Sequence, residues 1–280
     1  MSHLNPFLTF TPMEYEPLKE LLAIPMRPSG WVRRMAYLLF ELGFLRVRHV
    51  KRQLSKIFRV LPPNAHILDA GYGFGPYTDQ ALREIPDVRV TGYDVNVQQV
   101  QDCISFFTGE GFGDRCNFKE LDLNDLKDKN TYDLAIAVDI MEHIEDDIKV
   151  LKNLRRALKK GGILLIHTPA SEVDSRTVSH HDSFVGEHVR DGYHPDELRE
   201  KLLESGFSRA EVRFTYGRWG MVSWWMMQGI PFRLLSISKF FVLLLPLYYL
   251  FVFPFAHRFM LADLNLDHLK GGGLIAKAWV

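Results

Sequence analysis

The sequence contains little cysteine and no excess of either charge. Its 280 residues include two cysteines, Cys103 and Cys116, whose separation fits no metal-binding motif and excludes a disulfide-rich scaffold. Lysine plus arginine and aspartate plus glutamate number 34 each, so nothing global attracts the chain to nucleic acid. No signal peptide opens the sequence, which predicts a cytoplasmic protein with reduced cysteines.

The sequence is organised around a glycine-rich stretch at 65–78, which reads AHILDAGYGFGPYT. Its short apolar run predicts a strand, and Pro76 suits the first turn of a helix. Between them every second residue is glycine: Gly71, Gly73 and Gly75. This predicts a nucleotide-type site, because glycine lets the backbone approach a ligand and a helix N-terminus offers free N–H groups. A dinucleotide-binding fingerprint would have glycine or alanine where Pro76 stands.

Three passages resemble one protein family. The order D-x-G-x-G-x-G from Asp69 to Gly75 resembles motif I of the class I S-adenosylmethionine (SAM)-dependent methyltransferases. Residues 139–144, DIMEHI, resemble the D/S-x-x-E-H-(I/V) signature of the methyltransferase type 11 subfamily, which includes the ubiquinone-pathway O-methyltransferases. Residues 187–198 resemble the EHVR…Y-x-P-x-E-L segment of that subfamily. The resemblance covers about 65–207.

The resemblance implies an α/β fold, the Rossmann-like seven-stranded class I methyltransferase sandwich with an antiparallel last strand. This chain departs from the family pattern, because its own residues predict a hydrophobic helical insert before that last strand. In such sheets, ligands bind beyond the carboxyl ends of the strands. The apolar runs predict strands at 65–70, 88–93, 116–121, 132–138, 163–167, 209–216 and 274–280.

We divide the chain into four parts: an irregular N-terminal segment with a basic amphipathic helix at 1–61, a SAM-binding core at 62–217, a hydrophobic insert at 218–272 and the last core strand at 273–280. In the helical pattern at 31–61, apolar residues fall on one face and basic residues on the other. That pattern fits either a helix packed on the sheet with a solvated basic face or a face that contacts a membrane surface.

The resemblance assigns the cofactor to residues at the ends of the predicted strands. Motif I supplies four of them: Asp69, Gly71, Gly73 and Gly75. Asp94 ends the second strand, where the family's acid holds the two ribose hydroxyls of SAM; one carboxylate can accept from both. An acid at this spacing also fits a dinucleotide site, so Asp94 alone does not discriminate between the two cofactors.

Four further residues complete the implied cofactor site. Val95 offers either an apolar surface for adenine or ordinary packing. Asp122, with Leu123 beside it, resembles the family's adenine site; the alternative is a turn aspartate before Asn124. Asp139 would lie at the end of the fourth strand, next to the methionine part of SAM.

The DIMEHI passage also raises the question of a metal. Asp139, Glu142 and His143 can lie on one side of a single helical turn, and some resembled quinone O-methyltransferases hold a divalent cation with that grouping. We favour the alternative, in which Glu142 and His143 fix the loop by hydrogen bonds and no metal is bound. A general base is needed only if the acceptor enters protonated, and the candidates are His143 and His181.

The insert contains the one long uncharged run, 240–256, which reads FFVLLLPLYYLFVFPFA. A single transmembrane span is disfavoured because the run is shorter than the roughly 20 residues required. If the sixth and seventh strands pair, the chain must also return to the side it left. Two readings remain: a soluble substrate cap with apolar residues facing inward, and a membrane-facing element contacting the bilayer through 218–258. Four border residues fit an interface: Arg233, Lys239, His257 and Arg258.

These features predict a SAM-dependent methyltransferase that acts on a lipophilic small molecule or lipid, cytoplasmic or peripheral on the inner face of the membrane. The alternative acceptor is a soluble small molecule, with the insert as a cap. Rivals from other classes are an NAD(P)-dependent oxidoreductase and a non-catalytic SAM-binding membrane-associated protein. Nucleic acid is disfavoured as a partner by the neutral charge and by the absence of an N/D-P-P-Y/F motif after the fourth strand.

Overall fold

Seven strands build the centre of the described chain. The computed structural model describes residues 30–171 and 189–280. The strands lie in the order β3-β2-β1-β4-β5-β7-β6. They are β1 His66–Ala70, β2 Arg89–Asp94, β3 Cys116–Glu120, β4 Tyr132–Val138, β5 Leu158–Pro169, β6 Arg209–Thr215 and β7 Gly273–Trp279. Strands β1 to β5 pair in parallel, and β7 is antiparallel to both β5 and β6. The predicted fold class is therefore confirmed.

Nine α-helices of the described residues surround this sheet. They are α1 Gly30–Gly43, α2 Leu45–Phe58, α3 Pro76–Glu84, α4 Val97–Gly109, α5 Asp147–Ala157, α6 Pro195–Glu204, α7 Arg218–Trp224, α8 Ile230–Ile237 and α9 Leu245–Leu264. The helical pattern at 31–61 becomes two helices, because Phe44 adopts an extended conformation between α1 and α2.

Buried side chains alternate along the central strands, so that each face of the sheet has its own core. Ile67 and Ile136 belong to the core beneath α1 to α4. Leu68 and Ala135 belong to the core beneath α5 and α6. This period of two is what parallel strands covered on both faces require, and it leaves the strand ends as the place for a ligand.

The basic side chains of α2 are largely occupied within the chain. Lys51 Nζ lies 2.5 Å from Glu41 Oε2, and Arg48 Nε donates to the Glu41 carbonyl at 2.6 Å. Arg52 donates to the carbonyl of Leu264. The apolar face is buried as the pattern predicts, so α2 packs on the sheet and helps to hold the insert.

The insert forms a helical hairpin. Its first limb is α7 followed by a π-helical turn, Trp225–Gly229, and its second limb is α9. The limbs run antiparallel: Gly220 N donates to Asp263 Oδ1 at 2.7 Å near the sheet, whereas Tyr249 OH donates to the Met227 carbonyl at 2.8 Å further along. A short 3-10 helix, Lys239–Leu244, lies between α8 and α9 at the far end.

The helical part of the insert is longer than its uncharged run. The segment Lys239–Leu264 is helical over 26 residues, which by length and composition could cross a membrane. The uncharged run at 240–256 underestimates the length of this helical segment, because the helix continues past Arg258 to Leu264. The chain nevertheless returns to place β7 between β5 and β6, as the topological argument requires.

Candidate functional site

The glycine loop between β1 and α3 has a backbone that only glycine adopts without strain. Gly71, Gly73 and Gly75 have φ values of 66°, 54° and 76°. A Cβ at Gly71 would lie 2.3 Å from a methyl carbon of Ile140, and one at Gly75 would lie 2.9 Å from the Phe107 ring. A Cβ at Gly73 meets no described atom within 4 Å. The loop is therefore packed from behind and open to a ligand at its middle glycine.

Asp69 supports this loop from inside the protein. Its side chain is buried at the end of β1 and accepts a hydrogen bond from Thr78 Oγ1 at 2.6 Å. Burial raises the pKa of Asp69 to about 7, because the ionised form loses its hydration. Asp69 thus ties the strand to the first turn of α3.

Asp69 makes the stability of the ligand-free protein depend on pH. Because its folded pKa is about 7 and its ordinary value is 3.8, the folded state binds the proton more tightly than the unfolded state. The contribution to the free energy of unfolding is therefore largest below about pH 4 and is lost as the pH rises towards 7, by an amount on the order of 3 kcal/mol. Asp69→Asn should remove this dependence; urea unfolding between pH 4.5 and 8 would measure it.

The control is Asp114→Asn, since Asp114 is exposed in a short turn. Its unfolding free energies should follow those of the wild type at each pH. If Asp69→Asn also followed the wild type, the carboxyl of Asp69 would not carry the proton that its burial implies.

Asp94 joins the glycine loop to the next helix. Gly73 N donates to Asp94 Oδ2 at 3.2 Å, and Asn96 N donates to Oδ1 at 2.9 Å. Asn96 in turn caps α4 by accepting from Gln99 N. Val95 beside it is 67% exposed. A carboxylate and an open apolar side chain therefore stand together beyond the end of β2.

Asp122 and Leu123 lie in a turn after β3. Asp122 Oδ1 accepts from Asn124 N at 2.8 Å and from Asn124 Nδ2 at 3.0 Å, which is the geometry of a turn aspartate. Leu123 is buried in the core and offers little surface to a ring. Their assignment to the adenine site stays a prediction.

Asp139 is held by two residues that the sequence did not single out. The Arg46 guanidinium donates to Oδ2, and His167 Nδ1 lies 2.7 Å from Oδ1. Burial, with the nearby Arg46 charge, lowers the pKa of His167 to about 3, so the ring is neutral. Because a carboxylate only accepts, Nδ1 carries the proton, and Nε2 can accept from Thr215 Oγ1 at 3.4 Å.

The register could have identified His167, whereas nothing local identifies Arg46. His167 is the β5 partner of Val138, the residue before Asp139. Arg46 comes from α2, 93 positions earlier in the chain. Asp139 has a φ of 51°, so its backbone turns sharply as β4 ends.

Glu142 is buried and hydrogen-bonds to two neighbouring segments of the chain. Thr168 Oγ1 donates to its Oε2 at 3.1 Å, and its carbonyl accepts from Val189 N at 3.0 Å. Burial raises its pKa to about 6. Glu142 therefore hydrogen-bonds to residues on both sides of this loop, and Asp139 pairs with Arg46. Within 30–171 and 189–280, no group of three or more His, Cys, Asp or Glu side chains is arranged to hold a metal ion.

The chain after residue 188 is clamped over this loop. Arg190 Nη2 donates to the Ile144 carbonyl at 2.9 Å, and Tyr193 OH donates to Asp147 Oδ2 at 2.8 Å. Burial alone would raise the pKa of Asp147, but Lys201 and Arg190 hold it below its ordinary value. His143 is half-buried in the short helix Met141–His143, and His181 lies outside the described residues.

Comparison with known proteins places this geometry in a family. Residues 42–212 match a methyltransferase domain family. A curated relative, the ubiquinone biosynthesis O-methyltransferase of Pelagibacter ubique (strain HTCC1062), is 26% identical over 129 residues, which are 44% of this chain and 52% of the relative. The chain thus spans about half the length of that relative.

Solved structures share the fold. The [4+2]-cyclase SpnF superposes with a TM-score of 0.58 and 18% identity, covering 95% of this chain and 93% of the cyclase. Phosphoethanolamine N-methyltransferase 2 of Haemonchus contortus, solved in complex with SAM, has a TM-score of 0.56 and 20% identity, covering 82% of this chain and 51% of that protein.

Proposed function

This chain belongs to the methyltransferase domain family, and from that premise we propose that it transfers the methyl group of SAM to a lipophilic small molecule or lipid. The observation that carries the proposal is the opening at the strand ends. There the open face of Gly73, the Asp94 carboxylate and the exposed Val95 lie together, all within the matched residues.

The cofactor is SAM, and the chain's own residues fit it. Asp94 has carboxylate lone pairs for a ribose diol, Val95 offers an apolar surface for adenine, and the glycine loop leaves room for backbone contact. SAM supplies a methyl group on a sulfonium centre, which is already a good leaving group. The protein therefore has to position the acceptor and exclude water rather than generate a strong electrophile.

Rigid side chains beyond β4 and β5 support that positioning. Asp139 is immobilised between Arg46 and His167, and Glu142 is locked to Thr168. Neutral His167 is enclosed and donates to Asp139, so it orients that carboxylate instead of removing a substrate proton. If the acceptor is a hydroxyl, His143 or His181 would take its proton.

Two observations support a lipophilic acceptor. The relative from Pelagibacter ubique is named for ubiquinone biosynthesis, whose product is a lipophilic quinone. The insert of this chain also exposes many apolar side chains, among them Phe240 and Leu243. A soluble cap would turn such side chains towards the acceptor instead of towards solvent.

The test is transfer of labelled methyl from SAM to a total lipid extract, followed by partition between organic and aqueous phases. We expect label in the organic phase, and none when protein is omitted. If a labelled product formed only when an aqueous extract was supplied in place of the lipid extract, the result would contradict a lipophilic acceptor and favour a soluble one.

An NAD(P)-dependent oxidoreductase is the rival that shares the strand–loop–helix geometry. Its fingerprint requires a small residue at Pro76, and the family match is to a methyltransferase domain. Calorimetric titration with SAM and with NADH separates the two functions. Binding heat from SAM but not from NADH would support the methyltransferase, and binding heat from NADH but not from SAM would refute it.

A further inference from the structure

We propose that the far end of the helical hairpin docks on an anionic lipid bilayer. We call this end the hairpin tip and define it by its most exposed apolar side chains: Ile237, Phe240, Leu243, Leu247, Leu250 and Phe251. The proposal concerns where the protein sits and stands independently of which molecule accepts the methyl group.

The hairpin geometry carries the tip away from the sheet. Its base is fixed by the buried Asp263, which accepts from Gly220 N at 2.7 Å and lies 3.1 Å from His49 Nε2. From Asp263 back to Leu247 the helix spans 16 positions, or about 24 Å at ~1.5 Å per residue. The tip can therefore enter the headgroup and upper acyl region while the catalytic sheet stays in water.

The tip side chains face outward. Phe240 is 82% exposed, Ile237 75% and Leu243 74%. On α9 the exposed apolar residues recur with helical spacing, whereas Ala256 and Met260 on its other side are buried against Leu45 and Met227. The outward side of α9 is thus an exposed apolar face, whereas its inward side is already packed against the rest of the protein.

The charge of the hairpin matches an anionic surface. Residues 212–262 contain no aspartate or glutamate. Two exposed cations, Arg233 and Lys239, lie next to the tip in the chain, and two more, Arg218 and Arg258, lie nearer the base of the hairpin. The Arg233 guanidinium also lies 5.3 Å from the ring of Trp225. Apolar side chains bordered by cations and tryptophan are the composition of a membrane interface.

A bilayer fits this surface better than a second copy of the chain. In a two-fold dimer through the tip, the cations of one copy would face the same cations of the other, and no acid within residues 212–262 offsets them. A single span fits less well because both limbs lead back to the sheet, where β7 lies between β5 and β6. The hairpin is therefore a shallow anchor.

The test is flotation of the full chain with vesicles of phosphatidylcholine alone or mixed with phosphatidylglycerol. We expect the wild type to float, and more with the anionic vesicles. The double variant Phe240→Glu, Leu243→Glu should lower the partition coefficient by roughly tenfold or more. Two charged side chains would then replace apolar side chains that the bilayer is proposed to bury. Arg233→Gln with Lys239→Gln should lower the coefficient only for anionic vesicles, by about fivefold per charge.

Ile104→Glu is the matched control, since Ile104 is an exposed apolar residue of α4, outside the hairpin. It should float like the wild type, and every variant should still bind SAM in a titration. If the tip variant floated as well as the wild type, or if SAM-binding wild type did not float, the proposal would be wrong. A dimer in sedimentation that Leu243→Glu dissociates, without flotation, would identify a second copy as the occupant.

Discussion

Replacing Asp94 with alanine is expected to abolish SAM binding and to leave the fold intact. In the structure the carboxylate accepts from Gly73 N and from Asn96 N beside the glycine loop, and we propose that it also accepts from the ribose hydroxyls of SAM. Two hydrogen bonds to a charged acceptor contribute about 1.5–3 kcal/mol each, so the affinity should fall by roughly a hundredfold or more. Calorimetric titration measures this loss directly.

Two variants sharpen this test. Asp94→Asn keeps one acceptor oxygen and should bind SAM with intermediate affinity. Asp114→Ala removes an exposed carboxylate elsewhere and should bind like the wild type. Circular dichroism and thermal unfolding verify that Asp94→Ala is folded. Unchanged affinity in that folded variant would refute the cofactor assignment.

Asp263→Ala should destabilise the protein strongly. The carboxylate is fully buried and accepts from Gly220 N, with His49 Nε2 at 3.1 Å and His268 Nε2 at 3.3 Å from Oδ2. Alanine would leave the buried Gly220 N and His49 Nε2 without this acceptor, at a cost of about 3 kcal/mol, whereas His268 Nε2 keeps the backbone carbonyl of residue 263 at 3.0 Å. For a chain of this size that corresponds to a melting temperature lower by roughly 10 °C, which thermal unfolding would detect.

The matched control lies four positions further along. Asp267 is exposed, and its Oδ1 lies 3.6 Å from Arg213 Nη1, so Asp267→Ala should change the melting temperature by about 1 °C or less. Asp263→Asn retains an oxygen for Gly220 N and should fall between the two. A melting temperature unchanged in Asp263→Ala would mean that the hairpin is anchored by apolar packing alone.

The parts of the fold that follow from local pattern could be predicted from sequence. The strand before the glycine loop and the apolar fourth strand were correctly located because both bury side chains on each face of a parallel sheet. The fifth strand begins at Leu158, earlier than predicted, since Leu158 pairs with Tyr132 beyond an irregularity in the register. Such an extension depends on the neighbouring strand and leaves no local signal.

The supporting contacts of the site could not be predicted in the same way. The Arg46–Asp139 and His49–Asp263 pairs join residues 93 and 214 positions apart. No periodicity encodes such a pair, because it depends on how α2 packs across the sheet and against the hairpin. The basic pattern of α2 therefore indicated a charged face, whereas the structure assigns several of those cations to partners within the chain.

The hairpin shows the same division. Its apolar composition was evident in the sequence, as was the need for the chain to return to the sheet. Which way the side chains face was not, since a cap and an anchor have the same composition. The antiparallel packing of the two limbs determines which way the side chains face, because it buries one side of α9 and exposes the other.

The most direct test of the account is to measure S-adenosylhomocysteine, the product that every methyl transfer from SAM releases whatever the acceptor. Mass spectrometry would quantify it after incubating SAM and a lipid extract with wild-type protein and with Asp94→Ala. We predict turnover with the wild type, equimolar with methyl recovered in the lipid phase, and none with the variant. Tight SAM binding by the wild type without S-adenosylhomocysteine from any lipid or aqueous extract would contradict the account and favour a non-catalytic SAM-binding protein.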